Sequence, residues 1–362
     1  MYYIKSIFLV ACISIISTQT QAQTNSDSTK KLPFHISHLK KLDAEELKDK
    51  KEGTTLTGLP RLSSDPLNGL GYGFEGALLF NGKRSDPFFE YTPYRMKIGI
   101  DASNTSRSER KLAFNLDRPY FLNTKWRFRG EVAYEKNPNL LYFGTTNKSL
   151  NTLDKIAADD GMPYTGKDYD SYNNSLTGNY KNYNTYTKEE YIVNLSGEYS
   201  LFDSRMRVLA GYEIAWMNIT AGANSRLSKD ASAGKIVGLG KSVVTFIQSG
   251  IVWDTRNFES DPDKGAYAEI TNELSSKSLG SAYNCDKVFL QYMLYKKILP
   301  KVLGKTILAT RFGIGYTFGA APFFEYQDEW ASQGSIEGLG GSNMLRGYKQ
   351  SRFLDRGMYF LI

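Results

Sequence analysis

The sequence has 362 residues, enough for one large barrel or two ordinary domains, and its 45 basic and 38 acidic residues give a net charge of +7. The Lys and Arg residues are dispersed, without a basic run or a known binding motif, so we predict no nucleic-acid partner. Aromatic residues make up 14% of the chain, with 25 Tyr, a composition typical of a sheet that meets lipid headgroups.

The first 22 residues predict an exported protein. Lys5 supplies the positive start, residues 7–16 the apolar core, and Thr20-Gln21-Ala22 a cleavage site for a signal peptide spanning residues 1–22. An alternative is a lipobox ending at Cys12, although the apolar run continues beyond that cysteine. After residue 22 no apolar run reaches the roughly 18 residues of a transmembrane helix.

Residues 23–55 are polar and are predicted to be a periplasmic linker, with a short helix within residues 37–52. His35 and His38 have a spacing that two metal ligands could use, but no further His or Cys is nearby, so we predict no metal site. Cys285 is the single cysteine after the signal. It has no disulfide partner and no nearby His, so we interpret it as structural.

From Leu56 onward, apolar and polar residues alternate with a period of two, which predicts β-strands. Trp126, Phe128 and Val132 fall on one face, for example, and Arg127 and Glu131 on the other. We predict strands at residues 56–62, 70–80, 94–104, 110–121, 125–136, 187–202, 205–219, 243–257, 265–276, 286–299 and 305–318, with another beginning near 357.

Alternation alone leaves open which face is outside. A soluble sandwich buries its apolar face, whereas a membrane barrel presents that face to lipid. Segments of about ten residues, polar faces with charges of both signs, and short turns alternating with long loops favour a transmembrane antiparallel β-barrel of the outer-membrane type, all-β, at residues 56–362. The short turns would be periplasmic, at residues 122–124, 203–204, 262–265 and 304. The long loops would be extracellular, at residues 137–186, 220–242 and 319–356.

The stretch from Leu339 to Tyr348 predicts a shaped loop. Its glycines permit positive φ and close backbone approach, and Arg346 stands at its tip as a permanent cation that needs carboxylates or carbonyls if buried. The motif residues are Gly340, Gly341, Leu345, Arg346, Gly347 and Tyr348.

This motif resembles the signature of the outer-membrane assembly-factor family, the BamA/TamA-like or bacterial surface antigen family. The resemblance implies a sixteen-stranded barrel in which an extracellular loop, here about 319–356, folds back into the lumen and its Arg pairs with acidic wall residues. Gly347 would allow the tight turn, and Tyr348 would pack on the wall. A second element also matches the family, a strand end and turn with Asp254, Arg256, Asn257, Pro262 and Gly265; residues 117–121 resemble a third.

Two departures from the family pattern are visible. The 33 residues between signal and barrel are too few for a POTRA domain, the periplasmic module of assembly factors. The sequence also stops where a twelfth strand begins, so we expect a C-terminally incomplete chain, with about twelve of sixteen strands and part of the acidic wall for Arg346 lacking.

No catalytic constellation occurs in the sequence, and we predict neither an enzyme nor a cofactor nor a small-molecule substrate. The aspartates of loop 137–186 suggest calcium as an alternative to a simple solvated loop. The resemblance implies assistance in assembling or translocating proteins at the outer membrane, with lipid and other outer-membrane or secreted proteins as partners. The alternatives are a pore or structural surface barrel without that activity, and a soluble sandwich that binds a ligand.

Overall fold

Twelve antiparallel strands form one sheet, in which each strand pairs with its neighbour in the chain, except that a small hairpin intervenes in the chain before the last strand. The computed structural model describes residues 31–42, 44–65, 67–145, 147–162, 164, 169–257, 259, 261–298, 306–326, 328–340, 344, 347, 348 and 352–362. Described residues from Leu32 onward form one compact unit. The first and last strands of this sheet are not paired with each other in the described part of the chain.

The main strands are β1 (Gly53–Asp65), β2 (Gly69–Gly82), β3 (Met96–Thr105), β4 (Arg110–Arg118), β5 (Trp126–Leu141), β6 (Thr185–Leu201), β7 (Met206–Ala221), β8 (Gly240–Asp254), β9 (Gly265–Ser275), β10 (Cys285–Lys297), β11 (Ile307–Gly319) and β14 (Gly357–Leu361). A small hairpin of β12 (Asp328–Glu329) and β13 (Ile336–Glu337) lies between β11 and β14. The short helices are α1 (Ala44–Asp49), α2 (Leu153–Asp159), α3 (Tyr169–Ser175) and α4 (Arg226–Ser232).

The predicted strands are confirmed, with differences at their ends. The first strand is longer than predicted because it pairs with β2 from Gly53 to Asp65, through Thr, Gly and Ser residues that carry no apolar alternation. The eighth strand, Gly240–Asp254, begins and ends three residues earlier than predicted, because after Asp254 the backbone turns toward the segment before Gly265. In the described part of the chain no helix is long and apolar enough to cross a membrane.

The sheet is inside-out relative to a soluble protein. On β9, Ile270 and Leu274 are 45% and 46% exposed on the outer face, whereas Glu269 and Glu273 are each 3% exposed on the inner face. The same alternation runs through the neighbouring strands β7, β8 and β10. Apolar side chains outside and charged side chains inside are the arrangement of a transmembrane barrel, and this overturns the soluble sandwich alternative.

The sequence led us to expect long loops that are simply solvated, but the longest of those described is folded. The connection between β5 and β6 contains α2 and α3, which bury their own cluster of apolar residues, including Phe143, Ile156 and Tyr172. Arg226 of α4 joins this loop through an ion pair to Asp160, and it also pairs with Asp230 of its own helix. Aromatic residues scattered along a polar sequence form this cluster because the loop folds back on itself.

Candidate functional site

The inner face carries a buried ion pair at the end of β8. Arg256 donates from Nε and Nη2 to the two carboxylate oxygens of Asp254, each at 3.0 Å, and its guanidinium lies 4.5 Å from the centre of the Tyr267 ring. Asp254 is fully buried and Arg256 is 2% exposed. A planar fork on a carboxylate is a strong and directional contact, so this pair rigidly positions the segment that follows β8.

The turn after this pair depends on three further residues of the predicted motif. The side-chain oxygen of Asn257 accepts hydrogen bonds from the backbone N–H groups of Asp263 and Lys264, at 3.1 and 3.3 Å, across half-buried Pro262. Gly265 begins β9 with φ of +108°, and a Cβ there would lie 2.5 Å from the carbonyl oxygen of Thr255. Only glycine fits this backbone position without strain.

More ionic groups surround Asp254. The carboxylate also pairs with Lys40 at 3.0 Å and with Arg207 at 3.4 Å. Nearby, Arg127 binds the Glu259 carboxylate at 3.0 Å. Burial alone raises the pKa of the Glu259 carboxyl, but the guanidinium groups of Arg127 and Arg207 outweigh burial and hold this pKa well below its ordinary value. We call Lys40, Arg127, Arg207, Asp254, Arg256 and Glu259 the mouth cluster, because they gather near the short turns.

A segment between β11 and β14, residues 328–333, lies against the inner wall; we call it the inward segment. The backbone N–H of Trp330 donates to Glu273 at 3.0 Å, and that of Ser332 donates to Glu269 at 2.6 Å. The Ser332 carbonyl accepts a hydrogen bond from Arg129 of β5. Since β5 and β9 lie on different parts of the wall, the inward segment occupies the space between them.

Side chains reinforce this placement. The Tyr267 hydroxyl hydrogen-bonds with the Ser332 hydroxyl at 2.6 Å and with Glu269 at 2.8 Å. Lys287, 3% exposed, contacts Glu273 and Glu325 at 2.9 Å each and donates to the Asp328 carbonyl at 2.7 Å. A buried ammonium needs this many oxygens to compensate for lost hydration, so Lys287 ties the wall to the segment leading into β12.

The inward segment also reaches the mouth cluster. The Gln333 side chain accepts a hydrogen bond of 3.2 Å from Nη1 of Arg256. The structure thus brings Asp254 and Arg256 of the second predicted motif against the loop that contains the first. A cavity of about 700 Å³ remains beside these contacts, lined by charges of both signs from β3 to β10 and by Asp328 and residues 330–335.

Comparison with known families agrees with this architecture. The Omp85 superfamily domain matches residues 96–357, and a domain of unknown function, DUF5982, matches residues 32–95. The chain belongs to the Omp85 superfamily. This membership places it among outer-membrane barrels, and the Omp85 superfamily is not a family of enzymes.

Among solved structures, this Omp85 chain is similar to BamA from Haemophilus ducreyi lacking POTRA domains 1–3, with 13% identity and a TM-score of 0.47. The similarity covers 83% of this chain and 47% of that one, so the chain spans about half the length of that structure. No curated protein matches the chain.

The glycine-rich motif of this Omp85 protein is partly described. Gly340 and Gly347 have φ of +106° and +96°, the positive values that favour glycine. The resemblance would place Tyr348 on the wall. Its side chain is 55% exposed, and its ring packs against the ring of Phe353, five positions further along the chain, with the ring centres 5.1 Å apart. The remaining motif residues, Gly341, Leu345 and Arg346, lie outside the described residues.

Sequence reasoning missed the residues that hold the inward segment of this Omp85 chain. Trp330 and Ser332 precede the glycine-rich motif and form no recognisable pattern. Their wall partners, Glu269, Glu273 and Lys287, do have a signal, namely charged residues at alternate positions of predicted membrane strands. Such positions face the lumen, where a charge needs a partner.

The metal alternatives receive no support. In the described part of this Omp85 chain, no group of three or more His, Cys, Asp or Glu side chains is arranged to hold a metal ion. His35 instead contacts Asp203, with 2.8 Å between Nδ1 and the carboxylate. In loop 137–186, Asp160 pairs with Arg226.

Proposed function

We propose that this Omp85 barrel assists the assembly or translocation of other proteins at the outer membrane of a Gram-negative cell, after export by the signal peptide at residues 1–22. The observation that carries the proposal is the inward segment between β5 and β9, with its backbone bonded to Glu269 and Glu273. A lumen occupied by its own chain is a poor channel for free diffusion, whereas a barrel that handles protein chains at its wall needs no open lumen.

Its partners would be membrane lipid and other outer-membrane or secreted proteins, recognised through strands or extended segments. The exposed apolar outer face, with Val208, Tyr212 and Trp216 on β7, is suited to lipid contact. Arg346 would hold the inward loop by pairing with carboxylates or carbonyls. A guanidinium in a polar lumen gains most from such partners. The other residues of the same motif are Gly340, Gly341, Leu345, Gly347 and Tyr348.

The experiment that tests this function is depletion of the protein in its native host, followed by quantitative proteomics of the outer membrane. We expect several unrelated β-barrel proteins to fall in abundance together. If the other barrels remain intact and the protein itself is a heat-modifiable barrel, the protein is instead a pore or a structural surface barrel. The polar cavity of about 700 Å³ makes that the second candidate.

The role of Arg346 is tested in the same depletion strain by complementation. Arg346→Ala should reduce the recovery of client barrels, and Arg346→Lys should restore only part of it because lysine lacks the planar fork. Heat-modifiable gel mobility of each variant separates loss of activity from loss of the fold. Full client recovery with folded Arg346→Ala would contradict the assigned role.

A further inference from the structure

The described residues before β1 form a strap across one end of the barrel. By the strap we mean residues 32–42 and 44–52. Its backbone is bonded to two different turns, with Ser37 N–H donating to the Asp203 carbonyl at 2.9 Å and Leu42 N–H donating to the Glu90 carbonyl at 2.8 Å. Asp203 lies in the turn between β6 and β7, and Glu90 in the longer connection between β2 and β3, so the strap spans the mouth at the end of the barrel where the short turns lie.

Apolar and aromatic contacts hold the strap along this path. Ile36 and Leu42 are 2% and 6% exposed. The Phe34 ring packs against Phe88 and Tyr120, with ring centres 5.6 and 5.8 Å apart, and this adds the turn between β4 and β5 to the contacts. The strap therefore has its own small core at the mouth and is more than a tether.

Farther along, Lys50 donates to the carbonyls of Phe89 and Thr92, each at 2.6 Å. Burial lowers the pKa of the Lys50 ammonium to about 8, and the nearby Asp86 carboxylate offsets only part of this. The end of the strap that leads into β1 is thereby fastened to the turn between β2 and β3.

One side chain of the strap enters the lumen. Lys40 reaches the fully buried Asp254 carboxylate at 3.0 Å, beside Arg207. Burial lowers the pKa of the Lys40 ammonium, and the Asp254 carboxylate offsets only part of this effect. A cavity of about 70 Å³ lies between the strap and the wall, lined by Lys40, Leu42, Tyr120 and Glu259 among others.

We propose that the strap closes the short-turn mouth of the lumen and that Lys40 is the latch that holds it there. The latch shares Asp254 with Arg256, and Arg256 also binds Gln333 of the inward segment. Strap and inward segment are therefore connected through one buried ionic cluster, in which all of these contacts are made at the same time. Release of Lys40 opens the mouth, and this gives the residues matched by the DUF5982 domain a gating role that is independent of the proposed assembly function.

Permeability of vesicles containing the full-length protein tests the closure. Lys40→Ala should increase the efflux of a small charged dye about tenfold, the effect of losing one charge-assisted hydrogen bond from the closed state. Lys48→Ala is the matched control, because Lys48 is an exposed lysine of the same strap. Lys40→Arg, which keeps the charge, should retain most of the closure. Equal efflux from folded Lys40→Ala and Lys48→Ala would overturn the proposal.

Thiol labelling gives a second measurement that does not depend on conductance. In Leu42→Cys the new thiol should react slowly with a charged maleimide, because the site is 6% exposed. Adding Lys40→Ala should raise the labelling rate about tenfold, while adding Lys48→Ala should leave it unchanged. Heat-modifiable mobility confirms that each barrel is folded. Fast labelling of Leu42→Cys by itself, or equal rates in all three proteins, would show that the strap does not close the mouth.

Discussion

The Asp254 carboxylate and the Arg256 guanidinium meet through two hydrogen bonds of 3.0 Å each, at the point where β8 ends on the inner wall. The same aspartate receives Lys40 from the strap, and the same arginine reaches Gln333 of the inward segment. Two residues separated by one position thus connect the strap before β1 and the inward segment before β14 to the middle of the sheet.

Removal of Arg256 should be costly. Arg256→Ala leaves a buried carboxylate with fewer cations, and we expect the free energy of unfolding to fall by about 3–5 kcal/mol. Arg256→Lys should recover only part of this, since lysine cannot make the two-bond fork. Urea unfolding in detergent micelles measures both values. Arg205→Ala is the control, because Arg205 pairs with Asp203 at 3.6 Å on the surface and should change stability by less than about 1 kcal/mol. A similar cost for both alanine variants would contradict the importance of the buried pair.

Gly265 should not tolerate a side chain. Its φ of +108° is strained for alanine, and the added Cβ would lie 2.5 Å from the Thr255 carbonyl oxygen, which cannot move freely. We expect Gly265→Ala to lower the free energy of unfolding by at least about 2 kcal/mol. Gly222→Ala provides the comparison, since a Cβ there meets no atom within 4 Å. Heat-modifiability midpoints of the two variants should differ clearly, and equal midpoints would refute the steric argument.

Lys287 should hold the inward segment in place. Lys287→Met removes the ammonium between Glu273 and Glu325 and leaves buried carboxylates uncompensated, at a cost of about 3–5 kcal/mol. We expect a cysteine introduced at Ala331, which is 4% exposed, to become reactive to maleimide in this background. Lys296→Met on the same strand removes an exposed lysine and should leave Ala331→Cys protected. If Ala331→Cys stays protected from maleimide in both backgrounds, contacts other than those of Lys287 are enough to hold the inward segment in place.

Ile270 tests which face meets lipid. Its side chain is 45% exposed, so a soluble protein would accept arginine there at little cost. In a membrane barrel, Ile270→Arg places a charge in hydrocarbon and should cost about 2–4 kcal/mol near the bilayer midplane. Folding yield into lipid vesicles should fall for Ile270→Arg and stay unchanged for Ser278→Arg, at an exposed position between β9 and β10. Equal yields would argue against lipid contact at this face.

The loop cluster should be sensitive to acid. Burial raises the pKa of the Asp230 carboxyl, but its contacts with Lys235 and Arg226 outweigh burial and lower the pKa below its ordinary value. A carboxyl with a depressed folded-state pKa stabilises the fold above its unfolded pKa, about 4, and this contribution is lost as the pH falls through the lower folded value.

Proteolysis of the loops around α2 and α4 should therefore accelerate as the pH falls below about 4. Asp230→Asn should weaken the cluster by about 2 kcal/mol at neutral pH and remove this part of the acid sensitivity. Cleavage by an acid-tolerant protease, followed by mass spectrometry, measures both effects. An unchanged acid profile in Asp230→Asn would assign the sensitivity to other carboxyls.

Local periodicity made most of the sheet predictable. Trp126, Phe128 and Val132 alternate with charged residues because a strand has a period of two, and this property needs no knowledge of the partner strand. The short turns between strands were equally visible from residues such as Asp203 and Pro262. The positions of most strands therefore follow from neighbouring residues alone, whereas the choice of the outer face also required the strand lengths and the alternation of short turns with long loops.

The placement of the connecting segments could not be predicted in this way. The Trp330 N–H and its acceptor Glu273 are 57 positions apart, and Lys40 and Asp254 are farther apart still. Their flanking residues do not indicate which partner each of these groups will meet. Only the curvature of the wall brings them within hydrogen-bonding distance.

The sequence by itself determined the membrane strands, the lumen-facing charges and the family motifs, because each depends on residues a few positions apart. Tertiary structure alone decided that residues 328–333 lie between β5 and β9 and that the strap crosses the mouth with Lys40 on Asp254. The physical reason is that a buried charge accepts any geometrically suitable partner. Which partner it meets is set by the packing of the whole barrel, and not by the residues beside it in the chain.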